Sequence, residues 1–237
     1  VTQSPDPFHP PEGLVLGYER RLHMDIGLLR RIVLFRATTG NTVRMIFDRF
    51  ASLDDVHLMV QRVHITAIDG TPKITISSEL DGNVTNHGVK HWGEMRAHQP
   101  QNDLIALSGK TAQSGYQLDM ASRFTSPQSI TYHVEDTVAS ATSIVQLGKD
   151  DEATFEKYTA IFTSRDTDHS GDAACRHLDN LTPYDDLYQA HIAEWEKYWD
   201  TADIQIKGDE NAQIGIRFTT YHVLIAAPRQ DDNVSIG

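Results

Sequence analysis

Turn signals recur so often in the first 82 residues that long helices cannot fit between them. Asp25-Ile26-Gly27, Thr38-Thr39-Gly40-Asn41, Asp69-Gly70 and Asp81-Gly82 combine residues that tolerate left-handed backbone with residues that bond their own main chain. Between them the apolar residues alternate. Val43, Met45 and Phe47 stand against Arg44, Ile46 and Asp48 in a strand from Thr42 to Phe50, while residues 14–36 read as a less regular hairpin. Val56–Ile68 and Ile74–Leu80 continue the series, followed by candidates at Asp103–Ser108, Gly115–Phe124, Ile130–Glu135, Ser140–Leu147 and Thr154–Arg165. Many strands, β-branched residues and no intervening helix predict antiparallel sheets packed as a sandwich.

The period then changes. Asp166–Thr182 is a polar connection with a short helix around Ala173–Leu178. Thr182 as N-cap, Pro183 at the first helical position and Asp185-Asp186 in the first turn then open a helix, in which Ala190, Trp195, Tyr198 and Trp199 recur at helical spacing. Asp203–Lys207 is extended, and Asp209 caps a second, more apolar helix from Glu210 to Ala226. The domain reading is a β-sandwich over residues 1–182, a helical linker over 183–207 and a further helical unit from 208 to 237.

Composition removes several functions. The formal charge is −12, with 33 acidic against 21 basic residues, and the densest basic pairs, Arg20-Arg21 and Arg30-Arg31, flank a turn; a nucleic-acid partner is not expected. No apolar run approaches the roughly 18 residues of a membrane-spanning helix. The start, VTQSPDPFHPPEG, is Pro-rich and lacks the features of a signal peptide; with no initiating Met it fits a trimmed chain. Cys175 is alone, which precludes an internal disulfide and favours a cytoplasmic origin.

The candidate chemistry is thin. No phosphate-cradling Gly loop, nucleophile elbow or His-Glu-x-x-His occurs. His87 and His91 are four apart, but Gly88 opposes a helix there and no Cys or carboxylate completes a ligand set; His57 and His64 fall on opposite faces of one strand. Cys175 and His177 do not make a nucleophile and base by spacing alone. Asp185/Asp186 suit a helix N-terminus, Glu194/Glu196 an exposed face, and Trp195 and Trp199 a packing surface. Three Asn-x-Ser/Thr sequons, at Asn83, Asn180 and Asn233, decide nothing. No catalytic residue, no metal ligand and no cofactor is assigned, and substrate-binding residues remain unknown.

Four stretches carry a resemblance. Arg20–Arg31 resembles the R-x-L-D-M-x-x-G-x-L-x-R run of the glycoside hydrolase family 65 enzymes, which include maltose, kojibiose, nigerose and trehalose phosphorylases; His23 stands where the family often has Asp. Asp48–Leu53 resembles that family's E-R-F-x-S-L, and Ser78–Asn86 its S-x-L-D-G-x-V-x-N. Ala190-His191, Trp195, Trp199, Asp203, Gly208-Asp209 and Arg217-Phe218 look like its linker helix and first barrel helix. The resemblance implies a mainly β protein: an antiparallel super-β-sandwich of galactose mutarotase-like form, a helical linker, and the first helix of an (α/α)6 barrel.

It also implies a reaction. In such enzymes a barrel glutamate protonates the glycosidic oxygen while inorganic phosphate, the co-substrate, attacks the anomeric carbon from the opposite face, releasing β-glucose 1-phosphate. Measured against the family, the chain starts after the opening strands and ends at Ser235-Ile236-Gly237, before the catalytic glutamate and phosphate pocket. Three expectations follow: the non-catalytic N-terminal part of a homodimeric α-glucoside phosphorylase, a same-family hydrolase such as a trehalase, or a carbohydrate-binding sandwich. Sheet edges and an exposed helix face at Ile214, Phe218 and Leu224 are expected to drive self-association.

Overall fold

The computed structural model describes residues 13–226. Eleven strands and three helices follow in chain order. They are β1 (Gly13–His23), β2 (Leu28–Ala37), β3 (Thr42–Ala51), β4 (Leu58–Asp69), β5 (Lys73–Asp81), β6 (Trp92–Gln101), β7 (Leu104–Thr111), β8 (Gln117–Thr125), β9 (Ile130–Glu135), β10 (Val138–Gln146) and β11 (Glu152–Thr163), then α1 (Ser170–Asp179), α2 (Tyr184–Ala202) and α3 (Glu210–Ala226). Eight strands form one antiparallel sheet in the order β1-β2-β3-β4-β11-β8-β7-β6; β5-β10-β9 form a second. The expected mainly β, antiparallel sandwich is the observed architecture.

The large sheet is covered twice, by different partners on opposite faces. In β4, Val63, Ile65 and Ala67 join the core beneath the small sheet, whereas Leu58 and Val60 join the core beneath the helices. Residues of odd and even number point to opposite faces of a strand. The same switch occurs in β11, from Ala153 and Phe155 to Tyr158 and Ala160, in β3 from Val43 and Met45 to Phe50, and in β2 from Val33 and Phe35 to Leu28. Each long strand is thus buried on one face in one half and on the other face in the other half. This accounts for the imperfect alternation of residues 14–36.

The small sheet can approach closely because its central strand, β10, buries Ala139, Ala141 and Ser143. Ser143 is satisfied by the Ser129 carbonyl at 3.1 Å and the Ser126 hydroxyl at 2.7 Å. At the β1–β2 hairpin, Arg20 faces Arg31 and Arg21 faces Arg30, a like-charge ladder. It is relieved locally: Arg21 pairs with Glu19 at 2.5 Å, Arg30 grips Asp48 with two bonds of 2.7 Å, and Arg31 lies 4.2 Å over the Phe47 ring.

Two features depart from expectation. β6 forms where the sequence pattern predicts no strand; it has Met95 and Ala97 as its inward residues, no β-branched residue, Pro100 near its end and two register shifts. It lies at the sheet edge, where proline and irregular pairing are tolerated. Thr182 is not the cap of α2: Pro183 occupies the N-cap, with no side-chain bond, and its carbonyl accepts the amides of Asp186 and Leu187. Asp209 does cap α3, its Oδ1 accepting the Ala212 amide at 3.0 Å.

Candidate functional site

The longest helix, α2, is seated on the sandwich by a row of specific side-chain contacts. Along this 19-residue helix, roughly 28 Å long, Tyr184, Tyr188, His191, Trp195 and Trp199 follow one another at three- or four-residue intervals and so share one face. The sandwich offers Phe50 to the first three. Tyr184 meets its ring edge-on at 5.9 Å, Tyr188 lies at 5.8 Å, and the His191 imidazole stacks at 4.5 Å.

His191 is 1% exposed, and both ring nitrogens are used. Nδ1 accepts the Leu53 amide at 3.0 Å, and Nε2 faces the Ile26 carbonyl at 2.8 Å, which fixes the neutral tautomer with the proton on Nε2. A second proton on Nδ1 would point at the Leu53 N–H. Burial pushes the pKa of His191 below its ordinary value, against the smaller opposing pull of the Ile26 and Gly27 backbone. This one ring ties α2 to both the β1–β2 turn and the β3–β4 loop.

One turn on, Trp195 is 2% exposed. It lies against Gly27, whose φ of +56° suits glycine; a Cβ there would stand 2.2 Å from the Trp195 Nε1. On its other side Trp195 stacks on Tyr221 of α3 at 5.1 Å and 16°. Its indole nitrogen has no hydrogen-bond partner, the consequence of seating the ring flush on a glycine. Trp199 donates its indole N–H to the Met24 carbonyl at 3.1 Å. The end of α2 is then pinned to α3: Arg217 holds Asp203 with two bonds of 2.8 Å, and Gln213 bonds both Ile204 and Ile206 of the extended segment.

At the other end, Arg62 bonds Glu156 at 2.6 and 2.9 Å and Asp185 at 2.8 Å, and lies 3.5 Å over the Tyr184 ring. The Tyr158 hydroxyl donates to the second Glu156 oxygen at 2.5 Å. Asp185 is therefore an ion-pair partner, and Glu194 pairs with Lys197. Both tryptophans pack.

The other candidates are dispersed. His177 contacts Asp55 at 2.6 Å, and burial pushes the half-buried Cys175 thiol up, so among the described residues Cys175 and His177 form no couple. His57 stacks on Phe162, whereas His64 sits beside Thr154 on the other face. His87 lies in a positive-φ turn closed by an Asn86–Val89 bridge, not on a helix. Among the described residues, no three His, Cys, Asp or Glu gather as a metal site, and no helix is long and apolar enough to cross a membrane. Asn233 lies outside the described residues.

Three of the four quoted stretches therefore meet. Arg20–Arg31 supplies Met24, Ile26 and Gly27, Asp48–Leu53 supplies Phe50 and Leu53, and Ala190–Asp203 supplies the helix that they receive. Ser78–Asn86 stays apart and locks a turn, with Asp81 accepting the Asn83 amide and Thr137 donating to the Asn83 side chain. The sequence places His191 in the linker-helix resemblance without a role; its position four residues before Trp195 and eight before Trp199 is the signal that puts it on the packing face.

The N-terminal domain of glycosyl hydrolase family 65 matches residues 2–198. The chain belongs to this family. It is similar to the kojibiose phosphorylase of Halothermothrix orenii, 27% identical over 250 residues covering 97% of this chain and 32% of the relative. The α,α-trehalose phosphorylase of Geobacillus stearothermophilus is 29% identical, with 92% of this chain and 30% of the relative covered. A solved structure of a kojibiose phosphorylase candidate from the human microbiome superposes with a TM-score of 0.81 at 19% identity, over 88% of this chain and 28% of that one, and shows the fold alone. The chain thus spans about a third of the length of the curated relatives it matches.

Proposed function

We propose that these residues are the non-catalytic N-terminal part of an inverting disaccharide phosphorylase. In the full-length protein an α-linked glucose disaccharide would be cleaved by inorganic phosphate to give β-glucose 1-phosphate, with no organic cofactor or metal. The observation that carries this reading is the family match over residues 2–198 together with phosphorylase relatives about three times as long. The geometry supports the non-catalytic part: at the α2 seat, the one buried histidine has both nitrogens committed, and the carboxylates of Asp48, Glu156 and Asp203 are each held by an arginine. The α2 helix then acts as a rigid connection that sets where α3, read as the first barrel helix, begins.

In this reading residues 1–182 form the sandwich, 183–207 the linker and 208–237 the start of the barrel, in a cytoplasmic homodimer. The test is to incubate the chain with maltose, kojibiose, nigerose or trehalose plus phosphate. No glucose 1-phosphate is expected; its release would place a catalytic group within these residues. Release of glucose without glucose 1-phosphate by the full-length protein would favour a hydrolase.

A further inference from the structure

We propose that the cleft between the free edge of β5 and the inner face of β4 and β11 binds a small oxyanion, with Lys157, Ser78 and Gln61 as its donors. The cleft has a volume of about 410 Å³. Parity along the strands decides what faces it. Val63 and Phe155 continue the apolar core beneath the small sheet, and Gln61 and Lys157, two residues before and after them, share that face. Ile76 and Ser78 face them from β5. A core that is apolar along most of its length thus ends in an amide, a hydroxyl and an ammonium.

Two of these groups are poorly matched by the protein. Ser78 is 6% exposed, and its hydroxyl oxygen is buried without a hydrogen-bond partner. The Lys157 ammonium donates at 2.7 Å to the Glu79 backbone carbonyl, and no carboxylate lies within ion-pair distance of it among the described residues. The two glutamates beside the cleft turn their charge elsewhere. Glu79 accepts the Ser77 hydroxyl at 3.2 Å, and Glu156 is taken by Arg62 and Tyr158 behind the sheet. Burial also pulls the Lys157 pKa down to about 8, with the Glu79 charge opposing it weakly. A half-buried cation without a carboxylate and an orphaned hydroxyl lining the same cleft are the complement of a phosphate or carboxylate oxygen.

The occupant is defined by the oxyanion, which a free phosphate or a carboxylate could supply. The test titrates inorganic phosphate and, separately, acetate into the protein at constant ionic strength, balanced with chloride. Binding is read by calorimetry and by the side-chain NMR signal of labelled Lys157. Saturable one-site binding of either anion is expected, weakened about tenfold or more by Lys157→Met and by Ser78→Ala, as for loss of a charge-assisted bond, and retained in Lys157→Arg. A response that does not saturate, or equal affinity in wild type and in Ser78→Ala and Lys157→Met, would overturn the assignment. Should Lys157→Met fail to fold, the contrast between Ser78→Ala and Lys157→Arg decides it.

Discussion

The two long helices invert the usual relation between polarity and burial. α3 carries fewer charges and more aliphatic residues than α2, yet among its residues only Tyr221 is buried, while Ile214, Phe218, Val223 and Ile225 are 49–60% exposed. α2 is studded with charges but buries Tyr184, His191 and Trp195 and bonds the sandwich through His191 and Trp199. What fixes a helix here is a set of partners placed to receive specific side chains. The strands supply those partners for α2. Ile214, Phe218 and Ile225 lie along one side of α3 and stay exposed among the described residues, whereas Leu224, expected with Ile214 and Phe218, is half-buried.

The comparison can be broken most forcefully at Trp195. Trp195→Ala removes the ring held between Gly27 and Tyr221 and is expected to destabilise the chain by about 3–5 kcal/mol in denaturant unfolding; a loss under about 1 kcal/mol would mean that the seat is loose. Gly27→Ala should cost about 2–3 kcal/mol, from its left-handed backbone and its approach to the indole. His191→Phe keeps the stacking on Phe50 but strands the Leu53 amide, costing about 1–3 kcal/mol.

That variant also carries a pH signature. His191 is held neutral, with its folded pKa below its unfolded value, so its contribution is complete above the unfolded value near 6.5 and is lost as pH falls through the folded one. Wild type should therefore lose stability on acidification below about pH 6.5 more steeply than His191→Phe, and parallel profiles would remove histidine from the account. The smallest effect belongs to α3: Phe218→Glu should change unfolding by less than about 0.5 kcal/mol. If the exposed face drives association, the same change lowers the apparent mass in light scattering.

Much of this contrast was legible in the residues. The turns at Gly27, Gly40 and Gly70 all have positive φ, and α3 matches its expected bounds of Glu210 to Ala226. β6 was hidden because its partners, not its propensity, make it a strand. The switch of buried face within β2, β3, β4 and β11 was also hidden, because local alternation cannot say which layer covers which half of a strand. At the seat, Trp195 and Trp199 read as packing residues, but the groups they meet, Gly27 and the Met24 carbonyl, lie about 170 residues earlier in the β1–β2 turn. Pairing those two stretches required the fold.

The central claim is that Gly27 and Trp195 form one fitted joint between sandwich and linker. A double-mutant cycle with Gly27→Ala and Trp195→Leu tests it directly by chemical denaturation. If the joint is fitted, Gly27→Ala costs markedly less once the indole is gone, with a coupling of at least about 1 kcal/mol. Additivity to within about 0.3 kcal/mol would contradict the account.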